Sequence, residues 1–225
     1  MYKILTFLAF VFVLMSCQNN KETTVQYDKT LVINYYLRSD NSDFVTAEAY
    51  IRYKNDTILP NIESVTIEGE SMLKSAYENN KMWRFRADQN IKAKNYEFVV
   101  KEAGQKPVKV KLAPKPIGKY TIKEGVISKS KGFTLTWQGS PVNKTETFVL
   151  LITDVNNQSM SLNRIGETAE SGMFIDPVQL SFFAPGKANF YLIRRSVADF
   201  PQEGYLRQNA EIEFYSDEIT IEIVE

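Results

Sequence analysis

Histidine is absent from the 225-residue chain, and cysteine occurs once. The missing histidine removes Ser-His-Asp and Cys-His catalysis. With a single thiol it also removes most zinc and copper centres, whose usual ligands are His and Cys. One cysteine excludes an internal disulfide. Carboxylate-pair hydrolysis, lysine chemistry and calcium binding survive these exclusions. No apolar run approaches the roughly 20 residues of a membrane-spanning helix, and no segment carries a sustained 3.6-residue apolar stripe. No Lys/Arg block of the kind that tracks nucleic acid is present. The 27 basic side chains are balanced by 27 acidic ones. Neither a metal nor a cofactor is expected.

The single cysteine is well placed to be informative. Lys3 precedes an apolar stretch from Ile4 to Met15, broken only by Thr6, and the polar run Gln18-Asn19-Asn20-Lys21-Glu22 follows. A charged n-region and a short h-region of this kind form a secretory signal. Leu14-Met15-Ser16-Cys17 closes it and resembles a bacterial lipobox. That resemblance implies cleavage between Ser16 and Cys17 and acylation of Cys17, palmitate included. Residues 1–16 are then the signal peptide, and 17–28 the lipidated cysteine with a polar tether. Each buried CH₂ contributes about 0.8 kcal/mol, so two or three chains on one cysteine hold a protein at a membrane nearly permanently. Eleven extended tether residues reach roughly 35 Å at about 3.3 Å each. The mature chain is close to neutral and slightly acidic.

From residue 29 the apolar period is two, the signature of strands with one buried face. Leu31, Ile33, Tyr35 and Leu37 alternate with Val32, Asn34, Tyr36 and Arg38. Val45, Ala47, Ala49, Ile51 and Tyr53 alternate with Thr46, Glu48, Tyr50 and Arg52. The Asp40–Asp43 turn between them completes a hairpin pattern. Further strands are expected at Val65–Ile67, around Trp83 and Phe85, at Tyr96–Val100 and at Val108–Leu112. In the second half they are expected at Tyr120–Ile127, Phe133–Trp137, Thr147–Thr153, Lys187–Val197, Glu211–Tyr215 and Glu218–Val224. Helical turns are expected only near 71–80 and 176–183. Ala113-Pro114-Lys115-Pro116-Ile117-Gly118 denies backbone donors and favours an extended linker. The chain therefore divides into a β-sandwich at 29–113, a linker at 114–118 and a β-sandwich at 119–225. The Phe133–Trp137 and Thr147–Thr153 segments resemble early strands of fibronectin type III-like domains. The fold class is all-β: two tandem immunoglobulin-like sandwiches, with Trp83 and Trp137 expected in separate cores.

Each chemical constellation has an ordinary structural alternative. Asp40, Asn41, Ser42 and Asp43 offer calcium-type oxygens but are also turn formers. Glu68/Glu70 and Glu211/Glu213 form i,i+2 carboxylate pairs, about 7 Å apart along a strand, as a glycosidase pair requires in outline. Such pairs are commoner on the wet face of a sheet. The alternating Lys106, Lys109, Lys111 and Lys115 read as a solvent-facing strand edge. Asp56-Thr57-Ile58 resembles the O-glycosylation motif of Bacteroidota, which makes Thr57 a candidate acceptor. Asn55, Asn143 and Asn157 begin N-glycosylation sequons with little meaning in a bacterium. Phe182, Phe183, Phe200 and Tyr205 lie in expected loops and are the candidate partner contacts. The long 156–185 region, with Arg164, Gly166 and Gly172, is the first candidate contact region, and the Phe200–Tyr205 loop is the second.

The chain as a whole resembles a Bacteroidota-type lipoprotein with tandem immunoglobulin-like or fibronectin type III-like domains. That resemblance implies an outer-membrane location and a membrane partner through the lipid on Cys17. The leading functional reading is a non-catalytic binding or scaffolding module of the cell envelope, with envelope proteins or glycans as partners and no nucleic acid. The alternatives are an accessory glycan- or solute-binding lipoprotein of an outer-membrane importer, and a carboxylate-dependent hydrolase. A flat apolar patch, a concave aromatic pocket and two convergent carboxylates, respectively, would distinguish them.

Overall fold

The computed structural model describes residues 29–55, 58–165 and 171–225. Ser16, Cys17 and Thr57 lie outside them, as does Gly166. The described chain is all-β. Strands β1 (Leu31–Asp40), β2 (Phe44–Tyr53), β3 (Ile62–Ile67), β4 (Glu70–Ser71), β5 (Leu73–Tyr77), β6 (Met82–Asn90), β7 (Tyr96–Glu102) and β8 (Val108–Leu112) make up the first half. The second half holds β9 (Tyr120–Ile122), β10 (Ile127–Ser128), β11 (Phe133–Trp137), β12 (Glu146–Thr153), β13 (Ser159–Ile165), β14 (Gly172–Ile175), β15 (Gly186–Asp199), β16 (Leu206–Tyr215) and β17 (Ile219–Val224). The two expected helical turns are 3₁₀ turns at Glu78–Asn80 and Pro177–Leu180.

Two hydrophobic cores form where facing sheets interdigitate. In the first, Ile33, Tyr35 and Leu37 of β1 and Ala47, Ala49 and Ile51 of β2 meet Val65, Phe98 and Val110 of the β4-β3-β7-β8 sheet. Tyr35 and Phe98 meet edge to face at 5.1 Å. In the second, Phe133, Leu135 and Trp137 of the β14-β11-β9 sheet meet Phe148, Leu150 and Phe190 across the layer. Trp137 stacks on Phe148 with ring centres 4.5 Å apart. The alternation expected for these strands is the alternation observed, because one face of each is buried and the other is not.

The boundary needs a correction. A single ten-stranded sheet serves both cores, running β10-β17-β15-β16-β1-β2-β6-β5, with β12 beside β15 and β13 beside β12. β16 pairs in parallel with β1 from Leu31↔Leu206 to Asp40↔Tyr215. Its Leu206, Ala210 and Ile212 belong to the first core, while Phe214 belongs to the second. The division at 113–118 separates most of the two cores but leaves one strand of the first core on the far side. Sequence pattern misses this because a parallel pairing across 175 residues has no local signature.

The linker is also tied down. Ile117 is buried in the second core. Lys115 bonds the fully buried carboxylate of Glu146, which Arg194 also reaches at 2.6 Å. Arg194 in turn donates to the carbonyls of Ser140 and Pro141 at 3.1 and 2.9 Å. Residues 114–118 have no regular structure, as the two prolines require, yet they are not a free hinge. A second correction concerns 156–185. It is not one long loop: β13, β14 and the second 3₁₀ turn occupy half of it, and β14 brings Gly172 against β11. The expected Tyr120–Ile127 strand is broken by a turn at Gly125, so that β9 joins one sheet and β10 the other.

Candidate functional site

The face of the shared sheet that points away from the first core carries the residues left over by the alternation. Registration places them in rows across the strands. One row runs Arg86, Glu48, Tyr36, Glu211, Val197 over β6, β2, β1, β16 and β15. The next runs Arg84, Tyr50, Asn34, Asn209, Asp199, and a third runs Asp88, Thr46, Arg38, Glu213, Arg195. The face exists only because β16 bridges the halves.

Two carboxylates on this nominally wet face are buried: Glu48 is 7% exposed and Glu213 4%. Glu48 is held by Arg84 and the Tyr50 hydroxyl, with Arg86 at 3.3 Å. Glu213 accepts from the Tyr36 hydroxyl at 2.7 Å, the Tyr215 hydroxyl at 3.1 Å and Arg195 at 2.8 Å. Arg195 also reaches Glu211 at 2.9 Å. The Arg38 guanidinium lies over the Tyr215 ring at 3.9 Å. Burial opposes ionisation of Glu48, but the bonds from Arg84 and Tyr50 and the charges of Arg84 and Arg86 outweigh it and hold its pKa below the usual value. Burial, and then the bond to Glu48, pushes Tyr50 up to about 12. Tyr215 also rises to about 12 through burial and the Glu213 charge. The tyrosines stay protonated and Glu48 stays ionised at neutral pH. A glycosidase acid needs its carboxyl shifted the other way.

Between these networks lies a shallow groove of about 550 Å³, lined by Asn34, Tyr36, Tyr50, Asp199, Asn209 and Glu211 among others. The rings of Tyr36 and Tyr50 are fixed by their bonded hydroxyls. The sequence pattern showed these residues as the polar partners in the alternation. The available signal was two tyrosines, Tyr36 and Tyr50, at the outward positions of adjacent strands.

The residues expected to meet a partner fare differently. Phe183 is buried at 1% exposure and belongs to the second core, which corrects its expected role. Phe182 is exposed and packs against it at 4.3 Å. Phe200 is half-buried against the first core. Tyr205 is exposed and shares with Phe200 a second groove of about 480 Å³ along the β8 edge, beside Lys106, Lys109 and Lys111. Trp137 is buried as expected, whereas Trp83 is only partly buried, with its indole donating to Pro60 at 2.7 Å and Lys74 over its ring at 4.0 Å.

The carboxylate pairs also separate. Glu211 and Glu213 do share a face of β16. Glu68 does not lie on a strand: it occupies a left-handed turn position before Gly69, and its side chain accepts from the Glu97 amide. In the Asp40–Asp43 turn the oxygens serve the chain itself. Asp40 accepts from the Ser42 amide at 2.8 Å, Asn41 donates to Asp217 at 3.0 Å and Asp43 faces Lys92 at 3.5 Å. Among the described residues no cluster of three or more acidic, Cys or His side chains is arranged to hold a metal. No helix among them is long and apolar enough to cross a membrane.

No protein-family model matches the chain, and no curated protein matches it. Solved structures overlap it loosely. The adhesin InvE of Yersinia pseudotuberculosis is 10% identical with a TM-score of 0.25, over 83% of this chain and 59% of the adhesin. The 47-kilodalton lipoprotein Tp47 of Treponema pallidum is 10% identical with a TM-score of 0.33, over 89% of this chain and 52% of that one. Murine CEACAM1b is 10% identical with a TM-score of 0.27, over 85% of this chain and all of that one. The chain thus spans between half and three-fifths of the two bacterial proteins. Overlaps at this level carry no functional argument.

Proposed function

We propose that this chain is a non-catalytic binding module of the bacterial cell envelope, anchored by lipid on Cys17, and that it binds through the outward face of its shared sheet. The observation that carries the reading is the groove at the centre of that face. Its walls come from both halves of the chain, and its rings are locked by buried carboxylates. Such preorganisation lowers the ordering cost of binding. The absence of histidine from the sequence removes the common catalytic triads, and the depressed pKa of Glu48 does not suit it to the general-acid role of the hydrolase reading. Of the two binding readings, the concave aromatic groove favours a ligand binder over a scaffold with a flat apolar patch. Anchoring rests on the lipobox and the polar tether.

The test has two arms. Mass spectrometry of protein purified from membranes should find an acylated N-terminal Cys17, and Cys17→Ser should release the protein into the soluble fraction. A mature N-terminus elsewhere without acylation overturns the anchoring. For binding, envelope fractions should raise the melting temperature of the mature protein, as any ligand selective for the native state must. A Val197→Arg variant, which fills the groove, should not respond. Equal responses, or none from any fraction, overturn the assignment of the face.

A further inference from the structure

The groove's own chemistry narrows its ligand, granted that the face binds at all. No Lys or Arg lines it, while Asp199 and Glu211 do. Arg195 compensates Glu211 at 2.9 Å, so the unpaired carboxylate of Asp199 is the charge that disfavours phosphate, sulfate and other anionic groups. Among the described residues, the side-chain amides of Asn34 and Asn209 and the carboxylate of Asp199 have no hydrogen-bond partner in the protein. Asn34 and Asn209 are lateral neighbours across the parallel β1–β16 ladder. They present two amides side by side, each able to donate and accept. Tyr50 flanks Asn34 within the same row, and Tyr36 stands in the adjacent row.

We propose that this groove binds a neutral carbohydrate, with Tyr36 and Tyr50 packing against the apolar faces of sugar rings and Asn34, Asn209 and Asp199 bonding vicinal hydroxyls. Adjacent hydroxyls of a sugar need paired groups that both donate and accept, which the Asn pair supplies. The apolar C–H faces of the ring need a flat apolar surface, which a pinned tyrosine supplies at little entropic cost. The Tyr50, Asn34, Asn209, Asp199 row crosses four strands, about 14 Å at roughly 4.8 Å per strand, which suits a short oligosaccharide lying across them. A basic peptide is the competing occupant, attracted by Asp199. It fits less well because the groove lies in the middle of the sheet. There the strand backbones already bond each other, so no edge is available for strand addition.

The experiment is isothermal titration of the mature chain with neutral α-glucan, β-glucan, xylan and mannan oligosaccharides, and separately with an oligolysine peptide. Asn34→Ala, Asn209→Ala and Val197→Arg are the variants, because none of these side chains has a protein hydrogen-bond partner among the described residues. Circular dichroism and thermal melts confirm that each remains folded. At least one carbohydrate should bind the wild type, at least 10-fold more weakly to each alanine variant and not measurably to Val197→Arg. If no carbohydrate binds, or if all three variants bind it as the wild type does, the inference is overturned. Oligolysine binding that Val197→Arg abolishes, without carbohydrate binding, also overturns it and leaves the binding-face reading standing.

Discussion

Leu31 stands beside Leu206 at the start of the parallel β1–β16 ladder, and its amide donates to the carbonyl of Tyr205 at 2.6 Å. Residues 175 positions apart thereby begin a ten-pair ladder that spans the full length of β1. Without β16 one edge of β1 is unpaired, and Leu206, Ala210 and Ile212 leave the first core open. Unpaired strand edges of this length invite aggregation.

The segment 29–113 should therefore not fold alone. Expressed without the second half it should aggregate or lack a cooperative unfolding transition, whereas 29–225 should melt cooperatively. A dispersed amide spectrum and a sharp melt from 29–113 would show that β16 is dispensable. Within the whole chain, Ile212→Ala should cost about 2–5 kcal/mol, the range for a buried aliphatic truncation.

Glu146 should matter far more than its surface partner. Its carboxylate is fully buried and Arg194 is 1% exposed, while Lys115 is about half exposed. Removing one partner of a buried pair leaves the other charge uncompensated, at a cost of about 3–5 kcal/mol. Exposed partners contribute about 0–1 kcal/mol. Urea unfolding of Glu146→Ala and Lys115→Ala should reproduce that contrast. Equal small effects would mean that the linker is not secured through this carboxylate.

Acid sensitivity should follow from Glu48. Its folded pKa is depressed, because the arginine and tyrosine bonds outweigh burial. The unfolded chain then binds more protons than the folded one below the ordinary Glu value of about 4.3. Stability is fully present above that value and is lost as pH falls through the folded pKa. Glu48→Gln should be destabilised at pH 7, and the gap to wild type should shrink on going to pH 3. Denaturation curves showing a constant gap would remove Glu48 from the acid response.

The two tryptophans should report different environments. Trp137 is 5% exposed and stacked on Phe148. Trp137→Ala should cost about 3–5 kcal/mol, and Trp83→Ala less, since Trp83 is only partly buried. The Trp137 emission of a Trp83→Phe variant should be shielded from iodide, and the Trp83 emission of Trp137→Phe should be quenched more. Because the cores share a sheet, Trp83→Ala should perturb both halves rather than unfold the first alone.

What the sequence alone determined was local. The period-two alternation of Leu31–Leu37 and Val45–Ile51, the Asp40–Asp43 turn and the Pro114/Pro116 break dictate strands, a hairpin and a joint, because each depends on residues a few positions apart. The exclusion of histidine chemistry is likewise compositional. Tertiary structure decided which strands sit side by side. Whether β16 lies beside β1 or within its own half depends on how whole faces bury, and neither arrangement alters the alternation of Leu206–Tyr215. The groove follows from that choice. Asn34 and Asn209 look like ordinary wet-face residues until the parallel ladder makes them neighbours. Phe183 shows the converse: a loop phenylalanine that is a candidate partner contact by sequence packs into the second core, where burying its ring is favourable.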